Sequence, residues 1–148
     1  MSCALMESVF HDVPHEPGFK TVDKAKLANQ QHSTIELTNS LELVDLTSVA
    51  LRKLGIQRKQ LIDTEKDQYP ATRQWAEAVH LQCRSAQGLT WVSRQDDSAR
   101  AYVFFGDRVP TGIFRPTGAS RDLLDSPAYD EVIEMAERIG VYLVDGSA

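Results

Sequence analysis

Two cysteines, Cys3 and Cys83, are all that this chain of 148 residues carries. Their number and spacing form neither a disulfide framework nor a CxxC metal site, so reduced, cytosolic thiols are the expectation. No apolar run approaches the roughly 18 residues that a membrane span needs. Nor does a basic stretch followed by an apolar one open the chain, which argues against a secretory signal and for a cytoplasmic protein. Basic charge is not in excess either: 16 basic and 21 acidic residues leave a net charge of −5. A generic nucleic-acid binder needs a basic surface to displace counterions, so direct nucleic-acid binding is disfavoured. Internal repeats and low-complexity segments are lacking. So are the G-x-S-x-G elbow, the G-x-G-x-x-G loop and the Walker-type loop, which removes support for a hydrolase nucleophile and for the common nucleotide cradles.

What is there is an ordinary globular composition, 42% hydrophobic and 25% charged. A chain of this length buries about 68–70% of its unfolded surface as one domain and needs no staples. The pattern begins at once. In "CALMESVFHDVPHEP" a helix is expected over residues 3–13, with Leu5, Met6, Val9, Phe10 and Val13 inside an arc of roughly 140°. Glu7 and His11 sit one turn apart on its rim, and Pro14 and Pro17 end it. Residues 22–30 read as a short polar helix. "STIELT" (33–38) and "LELVDL" (41–46) read as two strands joined by a tight turn at Asn39-Ser40. Thr47 or Ser48 caps a short helix that Gly55 stops.

After a polar segment, "YPATRQWAEAVHLQC" (69–83) reads as a helix with Ala71, Trp75, Ala78, Val79 and Cys83 on its apolar stripe, and Trp75 as core. Gln87-Gly88 would end it. "LTWVS" (89–93) and "AYVFF" (101–105) read as strands around the polar loop "RQDDSAR". Residues 106–119 form a long irregular connection. The last helix is capped by Ser126, begins at Pro127 and is stopped by Gly140, with Tyr129, Val132, Ile133, Ala136 and Ile139 inward. "VYLV" (141–144) reads as a final strand. The sum is an α+β domain around a mixed sheet flanked by helices.

Few residues point to chemistry unaided. Glu7, His11 and His15 stand four apart, but Pro14 breaks their register and no fourth ligand is visible, so no metal site is read here. Glu7 on a helix flank is most simply a solvated rim residue. Ser93 and Arg94 end an apolar strand and feed a polar loop, the kind of place where sites sit. A turn residue is the plainer reading of Ser93.

Three segments, taken in order, resemble the RES domain, the toxin half of RES/Xre toxin–antitoxin pairs of bacteria. "ALMESVFHDV" is similar to the helix with the signature Glu, here Glu7. "LELVDLT" with "LGIQRKQL" resembles the middle section. "YPATRQWAEAVHLQCRSAQGLTWVSRQD…AYVFFGDRV" resembles the tail, with the signature Ser at Ser93. The resemblance spans residues 3–109, a partial RES domain over 1–109, and leaves 110–148 as a C-terminal extension packed on it.

The resemblance implies a fold like that of ADP-ribosyltransferase toxins and an activity, the degradation of NAD+ as substrate, by phosphate or by water. No resident cofactor is implied. Glu7 and Ser93 would be the catalytic pair, Glu7 stabilising the oxocarbenium-like ribose and Ser93 bonding the ribose or the nicotinamide-side phosphate. Arg94 would bind the ligand's phosphate, which its planar fork suits. An Xre-type antitoxin is the implied partner, and a homodimer is left open. The family's signature Arg lies well upstream of its Glu, in an N-terminal section of several dozen residues, whereas six residues precede Glu7. Spacing alone promotes neither Arg94, Arg100 nor Arg108 to that role. The chain is therefore expected to be a truncated RES domain, its C-terminal two-thirds. It is either an NAD+-degrading enzyme, inactive if the truncation removes what turnover needs, or a non-catalytic remnant that binds the antitoxin.

Overall fold

The computed structural model of the protein describes residues 1–146. In chain order its first elements are α1 (Ser2–Met6), β1 (Lys20–Asp23), β2 (Gln31–His32), β3 (Ile35–Leu37), β4 (Leu43–Asp45), α2 (Ser48–Lys53), α3 (Arg58–Leu61) and α4 (Tyr69–Gln82). There follow β5 (Gly88–Val92), β6 (Arg100–Phe104), β7 (Phe114–Pro116), β8 (Arg121–Asp122), α5 (Ala128–Arg138) and β9 (Val141–Val144). Helices and small sheets alternate, an α+β fold. No helix among the described residues is long and apolar enough to cross a membrane. The chain divides into two compact units, Met1–Glu36 with Arg115–Ala148, and Leu37–Phe114.

In the first unit β1 and β9 pair in parallel, Lys20 opposite Val141 and Asp23 opposite Val144. α5 leads into β9 through Gly140, whose φ of +69° is the left-handed conformation that ends a helix at little cost to glycine. Its inner stripe is Ala128, Val132, Met135 and Ala136, spaced as one helical face. The stripe is rotated from the expected one: Ile133 is 37% exposed, and Met135 takes an inner place. The capping expectation is corrected too. Pro127 is the N-cap, and Ser126 donates its hydroxyl to Asp130 (2.7 Å) instead of capping the backbone. The stripe packs with Leu5, Val9, Phe10, Val22, Leu27, Leu123 and Val141 as one core.

The opening helix is shorter than expected. It ends at Met6, and residues 7–12 are turns. The Ser8 hydroxyl donates to the Ala4 carbonyl (2.5 Å), the acceptor its own amide would have used. The Phe10 amide then reaches back five residues, to the Leu5 carbonyl (3.0 Å). This wider turn still carries Val9 and Phe10 inward, so Leu5, Val9 and Phe10 of the apolar arc are buried, with Met6 and Val13 partly so, although the helix is not continued. The polar helix expected at 22–30 is also corrected. Val22 and Asp23 belong to β1, and Lys24–Leu27 forms one 3₁₀ turn capped by the Asp23 carboxylate, which accepts from the Ala25 amide (2.8 Å). Asn29, at φ +61°, ends it.

β2 and β8 pair antiparallel with His32 opposite Arg121. Arg121 donates to His32 Nδ1 (3.0 Å) and to Glu131 of α5. Burial and the neighbouring Arg121 push the His32 pKa below its usual 6.5. A histidine held neutral in the fold binds its proton more readily when unfolded. Stability therefore falls as the pH drops from about 6.5 through the lower folded pKa. Urea unfolding at a series of pH values should show this loss, and His32→Gln should flatten it. An unchanged slope in the variant would remove His32 as its source.

In the second unit β4 and β5 pair in parallel and β5 and β6 antiparallel, a small mixed sheet. The hairpin expected between 33–38 and 41–46 does not form, because β4 takes β5 as its partner. A two-residue hairpin turn wants positive φ at its centre, and neither Asn39 nor Ser40 has it. Gly88 does not stop α4. It opens β5, where an added Cβ would run into the Val103 carbonyl oxygen of the paired strand, so only glycine fits. Thr47 is the N-cap of α2 as expected, although its hydroxyl bonds Asp45 (2.8 Å) and not the helix. Gly55 follows α2 with φ +71°. The segment read as merely polar contains α3, started by a reciprocal capping box between Gln57 and Gln60.

α4 forms where expected, but Trp75 is 43% exposed and is not core. The contacts to the core come from Ala76 and Val79, against Leu46, Leu51, Leu61, Ala86, Leu89 and Phe105. The helix's rotation is set at its C-terminal end. There His80 meets Phe105 edge-on (4.8 Å), and Arg108 donates to the carbonyls of His80, Cys83 and Ala86. A cation on the last carbonyls of a helix suits both its dipole and its unpaired acceptors.

Candidate functional site

The residues expected to act are divided between the units. Glu7 is the half-buried C-cap of α1 in the first unit, with helical φ and ψ of −84° and 0°. His11 Nδ1 pairs with Asp12 (2.9 Å), and His15 is exposed. Among the described residues, no three His, Cys, Asp or Glu side chains gather to hold a metal ion. Ser93 and Arg94 lie in the second unit, at the carboxyl end of β5.

Ser93 is wholly buried, at 0% exposure. Its amide donates to Ala99 (3.0 Å), continuing the β5–β6 ladder by one rung. Its Oγ accepts the amides of Gln95 and Asp96, both at 3.0 Å, and so folds the chain back after the strand. Asp96 does the same one step on, accepting the amide (3.1 Å) and hydroxyl (2.6 Å) of Ser98. The loop 93–99 is thus shaped by its own short polar side chains.

Two arginines tie this corner to the segment after α2. Arg58 of α3 donates through Nη2 to the carbonyls of Val92 (3.0 Å) and Ser93 (3.3 Å). Its Nε donates to both Asp63 oxygens (2.9 and 3.0 Å). Arg94 reaches the other way, from Nη1 to the carbonyl of buried Thr64, while Glu65 stands 3.9 Å from its Nη2. Each arginine side chain is about a quarter exposed, at 22% and 26%. A guanidinium with one nitrogen on a fixed carbonyl keeps further donors for an anion.

Strand residues alternate in facing, so Thr90 lies on the sheet face opposite Leu89, Trp91 and Ser93. On that face Arg100 donates to Thr90 Oγ1 (3.3 Å) and lies 3.5 Å from Asp45. Burial pushes the Asp45 carboxyl up, but bonds from the Thr47 hydroxyl and amide, with Arg100, outweigh it and hold the pKa below its usual value.

The structure brings Ser93 and Arg94 together with Arg58, Asp63 and Thr64, none of which the sequence pattern singles out. Their partners are about 30 positions or more away in the chain, and no periodicity reports such a contact. The capping box Gln57–Gln60 is the one local signal that an element begins there.

No curated protein and no solved structure matches the chain. A family model, the RES domain, matches residues 1–124, a span that takes in Glu7, the whole second unit with its Ser93–Arg94 corner, and β8. On that match, which covers most of its length, the chain belongs to the RES domain family.

Proposed function

We propose that this RES-domain protein degrades NAD+ in the bacterial cytoplasm by breaking the bond between nicotinamide and ribose. The observation that carries the reading is the Ser93–Arg94 corner, braced at a strand end inside the family match and presenting a partly exposed guanidinium. In the reaction the glycosidic C–N bond breaks and its electron pair returns to the pyridinium, so nicotinamide leaves neutral. The ribose carbon becomes oxocarbenium-like and is taken by an oxygen of inorganic phosphate, or of water with loss of a proton. Glu7 supplies the negative charge that this transition state needs. Arg94 pairs with the ligand's phosphate, displacing the exposed Glu65 carboxylate. Ser93 contributes through the loop its buried oxygen holds, a refinement of the direct ribose contact that the resemblance implies. An ADP-ribosyltransferase-like arrangement of the whole domain belongs to the same proposal.

Purified protein should release nicotinamide from NAD+. ADP-ribose 1″-phosphate appearing only with phosphate marks phosphorolysis, and ADP-ribose in its absence marks hydrolysis. Intact NAD+ after prolonged incubation under both conditions would overturn the reading.

A second reading, a non-catalytic module that binds an Xre-type antitoxin, is favoured by α4. None of its 14 residues is fully buried, and Tyr69, Trp75 and Leu81 are exposed. Co-elution with a helix-turn-helix partner, lost in Trp75→Asp, would support it.

A further inference from the structure

We infer that Arg58 is a positioning residue that sets the Ser93–Arg94 corner, acting through the chain and not on the ligand. The inference rests on the reading of that corner as part of the NAD+-cleaving site. β5 ends as a strand at Val92, and the Ser93 amide carries the ladder one rung further, to the Ala99 carbonyl (3.0 Å). Arg58 Nη2 bridges two carbonyls in succession here, Val92 (3.0 Å) and Ser93 (3.3 Å). One donor shared by consecutive carbonyls fixes the relative orientation of the two peptide planes that meet at Ser93, and with it the direction in which the chain leaves the strand.

The Arg58 head is itself held. Nε lies between the two Asp63 oxygens, and α3, which carries Arg58, is locked by its capping box and by buried Leu61. Arg94 returns the tie to Thr64, directly after Asp63. The segment 58–64 and the strand end are therefore clamped from both sides, and the guanidinium proposed to meet a phosphate is aimed by the second arginine. Lysine cannot replace Arg58 in this role. A single ammonium on a flexible stem does not span two carbonyls and a carboxylate in one plane.

The test uses the full chain with Arg58→Ala and Arg58→Lys. Two quantities are read: NAD+ cleavage, and hydrogen exchange at the Gln95 and Asp96 amides that Ser93 Oγ accepts. A positioning role predicts that both variants lose kcat by about tenfold to a hundredfold, with KM changed little. It also predicts faster exchange at Gln95 and Asp96, while the β5–β6 amides keep their protection. Full activity in Arg58→Lys would assign Arg58 a charge role instead, and unchanged exchange at 95 and 96 in both variants would overturn the inference. If the unaltered protein leaves NAD+ intact, the functional reading fails, while the exchange measurement still decides whether Arg58 sets the corner.

Discussion

Glu7→Gln is expected to lower NAD+ turnover by about a hundredfold or more while leaving the fold intact. A charged group aimed at developing charge is commonly worth two to three orders of magnitude in rate. Glutamine keeps the shape and the acceptor oxygen of Glu7 but not its negative charge, so the loss measures electrostatic stabilisation and not packing. Glutamine preserves the volume of the side chain at the half-buried C-cap of α1, so the change in stability should be small beside the loss of rate. The expected pattern is a fall in kcat, an almost unchanged KM and an unchanged unfolding midpoint. Turnover within about threefold of the starting protein would remove Glu7 from the chemistry, since that is far below the roughly hundredfold such a group typically supplies. Glu7→Asp is the companion variant. It restores the charge but withdraws it by one methylene, and should recover part of the rate.

Phe10→Ala is expected to be the most damaging single truncation in the first unit. Phe10 is 1% exposed and packs in the core with α5 and β1. Emptying a site of that size costs about 3–5 kcal/mol, the lost transfer energy plus the cavity left behind. Against a total stability of about 5–15 kcal/mol, this is a large fraction. Urea unfolding should show a loss of stability of that size, read as a lower midpoint with little change in slope. Phe19→Ala serves as the contrast. Phe19 is 79% exposed and stacks on the exposed ring of Tyr142 (5.1 Å), so its loss should cost less than about 1.5 kcal/mol. Equal effects at the two positions would mean that the opening segment is not seated in the core as described. Because Phe10 follows Glu7 by three residues in the same turn, Phe10→Ala should also lower turnover by displacing the carboxylate.

Local periodicity determined a good deal of this protein. The α5 segment, the long α4, the β5–β6 hairpin strands and the glycine stops at 55 and 140 are all legible in the sequence. Each depends on neighbours a few residues away, through one-face spacing, alternation or a left-handed glycine. The apolar arc of the first residues was equally plain, although Ser8 and the wide turn to Phe10 shortened the helix that carries it. Ser93 and Arg94 drew notice as a strand end feeding a polar loop, but only the family pattern gave Glu7 and Ser93 a chemical role, since a lone carboxylate or a strand-end serine has no signature of its own. Tertiary structure alone decided the rest. β1 pairs with a strand some 120 positions later, and β4 bypasses its sequence neighbour for β5. The turn of α4 that leaves Trp75 outside follows from Phe105 and Arg108. Ser93 is closed in by amides and Arg58 is laid across two carbonyls. These depend on partners brought close by the fold, and separation along the chain erases them from any window in which a sequence can be read.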